Sequence, residues 1–187
     1  PIGERGRQLF FGEAGCANCH NGPLLSDQKF YALGLPAFGP GRARRWDPTA
    51  RDVGRMGESD DLRDAYRFKT PRLRNIALTG PYGHNGAYPT LEGILRHHLD
   101  PQGMRAAWTR DMAALPPVPW LEEIDFVIQS DRYEMARQAA KIDIEPRSLT
   151  DNQIADIVKF LHSLTGKTAT KSRLGSPEFV PSGLPVD

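Results

Sequence analysis

The sequence predicts a mostly α-helical domain with long loops and an extended C-terminal tail, and three observations carry that prediction. Apolar residues recur at helical spacing near both ends, at Leu9 and Phe10 and again from Ile154 to Leu164. Between them, residues 21–70 hold Gly34, Pro36, Gly39, Pro40, Gly41, Pro48, Gly54 and Gly57, turn formers dense enough to leave little room for regular structure. Both cysteines of the chain fall in one stretch, Cys16-Ala17-Asn18-Cys19-His20, directly after the first predicted helix.

That spacing is the attachment pattern of c-type haem. Two thiols one helical turn apart can add to the two vinyl groups of a porphyrin, and the adjacent His20 reaches the iron from the proximal face. A zinc site would need a second ligand pair at matching spacing, and no second Cys pair exists. A thioredoxin-like redox pair belongs at a strand-to-helix junction in a βαβ pattern, which this chain lacks. The expectation is one covalent haem c per chain, with both thiols spent and no disulfide.

The first helix is expected from Gly3 to Glu13. Gly6 lies one turn before Phe10, and a small residue there lets another helix approach closely. The natural partner is Thr150 to Thr165. Thr150 and Gln153 make a capping-box start, Ile154, Ile157, Val158, Leu161 and Leu164 form the apolar stripe, and Gly166 is placed as a stop. Crossing first and last helices resemble the c-type cytochrome fold. A third helix begins at Thr90 after Pro89 and stops before Asp100-Pro101, because the residue before proline avoids the helical region. A fourth runs from about Leu121 to Lys141, interrupted near Ser130. From Lys167 onward, Ser172, Gly175, Pro177, Pro181, Gly183 and Pro185 make a tail, either disordered or laid over a partner surface. The chain thus divides into a haem domain over 1–166 and a tail over 167–187.

The sixth iron ligand decides the chemistry. Leu91, Ile94 and Leu95 form the apolar face of the third helix, and His98 falls on that face, three, four and seven residues on. His97 is rotated by about 100° and should point elsewhere. Met104 and Met56 are the alternatives, since a thioether is the usual partner in electron-transfer cytochromes c, and an open site remains a third.

A net charge of +1 gives no reason to invoke nucleic acid. The basic run Arg42, Arg44, Arg45, Arg51 and Arg55 is followed by Glu58, Asp60 and Asp61, which reads as a solvated loop. No apolar run approaches the length of a membrane span. Pro1-Ile2-Gly3-Glu4 opens into a polar helix with no signal peptide. Haem is normally attached to this motif outside the cytoplasm, so a mature chain or a fragment in the periplasm or another extracytoplasmic space is expected.

The long run from Phe68-Lys69-Thr70-Pro71 through Asn75-Ile76-Ala77-Leu78-Thr79-Gly80-Pro81-Tyr82-Gly83-His84-Asn85-Gly86, with Thr90-Leu91-Glu92, resembles the di-haem cytochrome c peroxidase and MauG family. Gly22-Pro23-Leu24-Leu25-Ser26-Asp27, Phe160-Leu161-His162-Ser163-Leu164-Thr165-Gly166 and the terminal Pro181-Ser182-Gly183-Leu184-Pro185-Val186-Asp187 match it too. The pattern departs at Arg72, usually a small hydroxyl residue, and at Asn85, usually aspartate. Members carry two haem domains, and this chain, with one motif, resembles the C-terminal domain and its six-coordinate electron-transfer haem. The resemblance implies peroxide chemistry on a second haem-bearing domain or chain, and a redox partner protein beyond it. It places His98 where peroxidases have an axial methionine and MauG a tyrosine. It puts the Thr79 and Pro81 carbonyls at an inter-haem calcium, and His84 near the haem propionates. Those two carbonyls alone cannot fill a shell of six to eight oxygens. On local grounds His84 reads equally as a turn residue. The alternative is a stand-alone mono-haem electron carrier that kept the scaffold. An apolar exposed patch would favour the half-enzyme, and a polar surface the carrier.

Overall fold

A computed structural model of the chain describes residues 3–39, 51–115, 118–169, 179 and 181–183. The basic residues Arg42, Arg44 and Arg45 and most of the 167–187 tail lie outside the described residues.

Helix α1 (Glu4–Phe11) is shorter than its expected span at both ends. Gly3, at φ +88°, starts it, and Gly12, whose N–H bonds back to the Leu9 carbonyl, ends it. The loops that follow hold little regular structure among the described residues, as the turn formers of residues 21–70 predict. Strand β1 (Phe30–Tyr31), a short helical turn α2 (Met56–Ser59) and strand β2 (Phe68–Lys69) lie within them. The two strands pair antiparallel, Phe30 opposite Lys69 and Tyr31 opposite Phe68.

Helix α3 (Leu91–Leu99) starts where the sequence placed it, with the Thr90 side chain accepting from the Gly93 N–H. A helix not anticipated follows at once: α4 (Pro101–Ala107), capped by Asp100 accepting from the Gly103 N–H. Proline blocks continuation of α3 yet suits the first position of the next helix, since its missing N–H would have no partner there. The helix expected from about Leu121 to Lys141, interrupted near Ser130, is three pieces: α5 (Glu122–Asp125), α6 (Val127–Ser130) and α7 (Arg132–Ala139). The break near Ser130 comes from Asp131, which accepts from the Tyr133 and Glu134 N–H groups and so caps a new helix. The earlier break, at Phe126, falls where that ring stacks on Phe38 at 5.7 Å. Helix α8 (Asp151–Ser163) carries the complete capping box between Thr150 and Gln153.

Helices α1 and α8 cross at Gly6, where an added Cβ would lie 1.9 Å from the Asp156 carbonyl oxygen. Leu9, Phe10, Leu91, Leu95, Leu99, Ile154, Ile157, Phe160 and Leu161 pack around that crossing into the main core. A second core forms from Phe38, Ala87, Tyr88 and Trp108. Among the described residues no helix is long and apolar enough to cross a membrane.

Candidate functional site

Cys16–Asn18 form a tight helical turn entered through Gly15 at φ +66°. The Cys19 and His20 N–H groups both bond to the Cys16 carbonyl, at 3.3 and 2.9 Å. One turn of backbone therefore gathers both thiols and the imidazole. Cys16 packs against the main core, and burial pushes its thiol up to about 11; burial raises Cys19 too. Both cysteines are free thiols.

The His20 and His98 rings lie with centroids 6.4 Å apart and their planes tilted by 55°. His20 Nδ1 lies 3.0 Å from the Leu25 carbonyl oxygen, and His98 Nδ1 lies 2.8 Å from that of Ile94. A carbonyl only accepts, so each Nδ1 carries the proton and donates, leaving the lone pair on Nε2. Desolvation lowers the pKa of both rings, opposed by those same carbonyl bonds, and each imidazole is held in its neutral, ligating form. A metal–imidazole bond of about 2 Å puts a ring centroid about 3 Å from the metal, so two opposed imidazoles on one ion have centroids about 6 Å apart. The observed separation matches. With the paired thiols and the apolar shell of Phe10, Ala14, Leu73 and Leu95, these residues fit a covalently held haem.

The remaining histidines are placed elsewhere. His97 is buried, with Nε2 2.8 Å from the Leu33 carbonyl and Nδ1 accepting from the Tyr88 hydroxyl at 2.8 Å. His84 Nε2 lies 2.8 Å from Asp52 Oδ2, with its ring against Phe68 at 4.1 Å. His162 is exposed on α8. The methionines are accounted for as well. Met56 packs with Val53, Ala65 and Tyr66, and Met104 joins the second core. Met112 is exposed, and Met135 Sδ accepts from Arg105. None of the thioethers is drawn up to His20. Thr79 and Pro81 are exposed, and among the described residues no group of three His, Cys, Asp or Glu side chains converges on a point.

Sequence reasoning gave no notice of two buried charges. Arg105 donates to the Gly34, Leu35 and Met135 carbonyls and to Gln138 Oε1 at 2.8 Å. Glu134 meets Arg51 at 2.9 Å and Arg137 at 3.0 Å. Gln138, bonded to both Arg105 and Glu134, joins α4 to α7. A second missed contributor is Arg147, whose guanidinium would stand 2.7 Å from a Cβ on Gly15. It braces the entry to the cysteine turn by donating to the Glu13 carbonyl.

No family model matches the sequence. The chain is similar to the cytochrome-c peroxidase IdrP1 of Denitromonas iodatirespirans, 35% identical over 59% of this chain and 38% of that protein. It is 33% identical to the cytochrome c peroxidase Ccp of Escherichia coli over 87% of this chain and 25% of that protein. Against the methylamine utilization protein MauG of Methylorubrum extorquens the identity is 36%, over 51% of this chain and 24% of MauG. Among solved structures, a MauG-like protein associated with microbial copper homeostasis superposes with a TM-score of 0.63 at 25% identity, covering 92% of this chain and 49% of that one. A variant of the diheme peroxidase BthA from Burkholderia thailandensis gives 0.56 at 22% identity, covering 90% and 43%, a likeness of fold. The chain thus spans less than half the length of these relatives. By sequence and by fold, it belongs to the di-haem cytochrome c peroxidase and MauG family.

Proposed function

We propose that this chain is the electron-transfer haem domain, C-terminal in its family, of a di-haem peroxidase or MauG-like oxidoreductase. Cys16 and Cys19 would hold one haem c through thioether bonds, and His20 and His98 would supply imidazole ligands to its iron. The observation that carries the reading is the approach of those two rings to a centroid separation of 6.4 Å. When bound, the haem supplies reversible one-electron chemistry.

The protein's part is orientation and environment. The Leu25 and Ile94 carbonyls fix the tautomer of each histidine and raise the basicity of its Nε2. The main core, from Phe10 to Leu99, excludes water on the side away from solvent. Two strong imidazole ligands favour a lower potential than histidine–methionine ligation and leave no open position for peroxide. Peroxide chemistry therefore falls to a second haem-bearing domain or chain, and the isolated chain is inactive as a peroxidase. The exposed Trp120, Ile124 and Val127, 78%, 57% and 46% accessible, support a domain with a partner over a stand-alone carrier.

His84, whose Nε2 lies 2.8 Å from Asp52 Oδ2, takes in this reading the role that the family resemblance gives it, near the haem propionates. The Thr79 and Pro81 carbonyls contribute to an inter-domain calcium only when the other domain completes the shell. Attachment of haem to the cysteine motif places the protein in the periplasm or another extracytoplasmic space.

A pyridine haemochrome assay on the purified protein tests the reading. The expected result is a c-type spectrum with one haem per chain that resists acidified organic solvent. Haem that extracts into the solvent overturns the assignment of Cys16 and Cys19.

A further inference from the structure

The sequence holds two Asn-Gly pairs, Asn21-Gly22 and Asn85-Gly86, and the haem reading uses neither. Such a pair carries its own chemistry. The glycine backbone nitrogen can attack the asparagine side-chain carbonyl carbon and expel ammonia, and water then opens the cyclic imide. Glycine favours this step because it has no Cβ to obstruct the approach and its backbone turns readily. In a folded protein the outcome depends on whether the attacking nitrogen and its peptide are free to move.

The two pairs differ in that freedom. Both asparagines are exposed, so accessibility does not distinguish them. At the second pair the moving parts are held. The Asn85 amide nitrogen donates to the Phe38 carbonyl, the Gly86 N–H donates to the Gly83 carbonyl at 3.2 Å, and the Gly86 carbonyl accepts from the Ala114 N–H at 3.1 Å. Gly86 is also buried, and Pro81 would stand 2.9 Å from a Cβ on it.

Gly22 stands open. It is exposed at φ +69°, nothing lies within 4 Å of the place its Cβ would take, and among the described residues its N–H has no hydrogen-bond partner. The Asn21 carbonyl accepts from the Ser26 N–H at 2.8 Å. The C=O and N–H of a trans peptide point in opposite directions, so the Gly22 N–H is turned away from that contact. Swinging this peptide onto the side chain gives up one backbone hydrogen bond. The same swing at Gly86 gives up the Gly83 bond and drives the glycine against Pro81.

The Asn21 side chain matters to the cysteine turn. Its amide nitrogen donates to the Ala17 carbonyl at 3.1 Å and to the Asn18 carbonyl at 3.4 Å, closing the end of the turn that carries Cys19 and His20. These bonds hold the nitrogen that leaves, not the carbon that is attacked.

We propose that Asn21 is a site of intramolecular deamidation. The Gly22 nitrogen bonds to Asn21 Cγ, the Cγ–Nδ2 bond breaks, and the Gly22 amide proton departs with Nδ2 as ammonia. Water then adds to one imide carbonyl and breaks its bond to the ring nitrogen, leaving aspartate if that carbonyl is Cγ and isoaspartate if it is the main-chain carbonyl. No electrons are exchanged. Aspartate puts a carboxylate where the amide donated, facing the Ala17 and Asn18 carbonyls with no proton to give. Isoaspartate adds a methylene to the main chain directly after His20. Either product costs the turn its two closing bonds. The site rests on the folded loop alone and stands independently of the haem reading.

Peptide mapping by mass spectrometry of the haem-loaded chain, aged in mildly alkaline buffer, tests the proposal. In the folded protein the peptide containing residue 21 should gain about one dalton at least about fivefold faster than the peptide containing residue 85. In urea sufficient to unfold the chain the two rates should come within about twofold of each other, because the fold protects Asn85. No gain at residue 21, or equal rates at both sites in the folded protein, overturns the proposal. A fivefold preference that persists in urea overturns its structural basis, since the difference then lies in the neighbouring sequence. Hydrogen exchange reads the effect on the turn. The Cys19 and His20 amides, both bonded to the Cys16 carbonyl, should exchange at least about threefold faster after Asn21→Asp. Unchanged exchange overturns the role given to the Asn21 amide.

Discussion

His97 and His98 are chain neighbours with opposite surroundings, and the difference is one of helical phase. Consecutive residues on α3 are turned by about 100°, so His98 faces His20 while His97 faces the Leu33 carbonyl and Tyr88. Replacing His98 with alanine removes the group opposite His20. The ferric haem should convert from low to high spin and become able to bind cyanide, and added free imidazole should restore the low-spin spectrum. Met104→Leu should leave the spectrum unchanged, because Met104 packs with Trp108 and Phe38 in the second core. A low-spin spectrum that survives His98→Ala would place the ligand elsewhere. The buried pair of Arg105 and Glu134 belongs to the same scale but had no signature in the sequence. Charged residues are common at exposed helical positions, and these two are buried by contacts with remote segments, Arg105 against the Gly34 and Leu35 carbonyls and α7, Glu134 against Arg51.

At the scale of elements, the crossing of α1 and α8 does most to position the site, since the cysteine turn leaves α1 directly. The contact depends on Gly6 having no side chain. A methyl group there must push the two helices apart, and overpacking of this kind costs about 2–3 kcal/mol. In a domain of this size that corresponds to a fall in Tm of about 5–10 °C, measurable by circular dichroism for Gly6→Ala. Unchanged melting would mean that the helices adjust freely at the crossing. This crossing was legible because a glycine one turn before Phe10 and a capped apolar stripe are both local patterns. Helix α4 is hidden in the sequence because Asp100-Pro101 reads locally as a terminator, although Asp before Pro also starts a helix. The break at Phe126 left no local sign either, for it accompanies stacking on Phe38, which lies far away in sequence.

For the whole molecule, the chain spans 25% of the Escherichia coli peroxidase and 49% of the MauG-like structure, so its surface includes faces that in longer relatives adjoin further chain. The proposed calcium site makes this testable. Thr79 and Pro81 are exposed, and two carbonyls are far short of the six to eight oxygens that calcium takes. Titrating calcium into this chain alone should show negligible binding, and a second haem domain should restore it. A tight site in the isolated chain would contradict the assignment.

By itself the sequence determined the helical class, the capped ends of α3 and α8, the cysteine–histidine turn and the phase that singles out His98. Each of these is written in spacings of a few residues, and local periodicity and capping decide them. Tertiary structure alone decided that His98 meets His20 across 6.4 Å, that the Leu25 and Ile94 carbonyls orient the two rings, and that the thioethers lie elsewhere. These are contacts between segments remote in the chain, and they exist only once α1, α3 and α8 close on a common core.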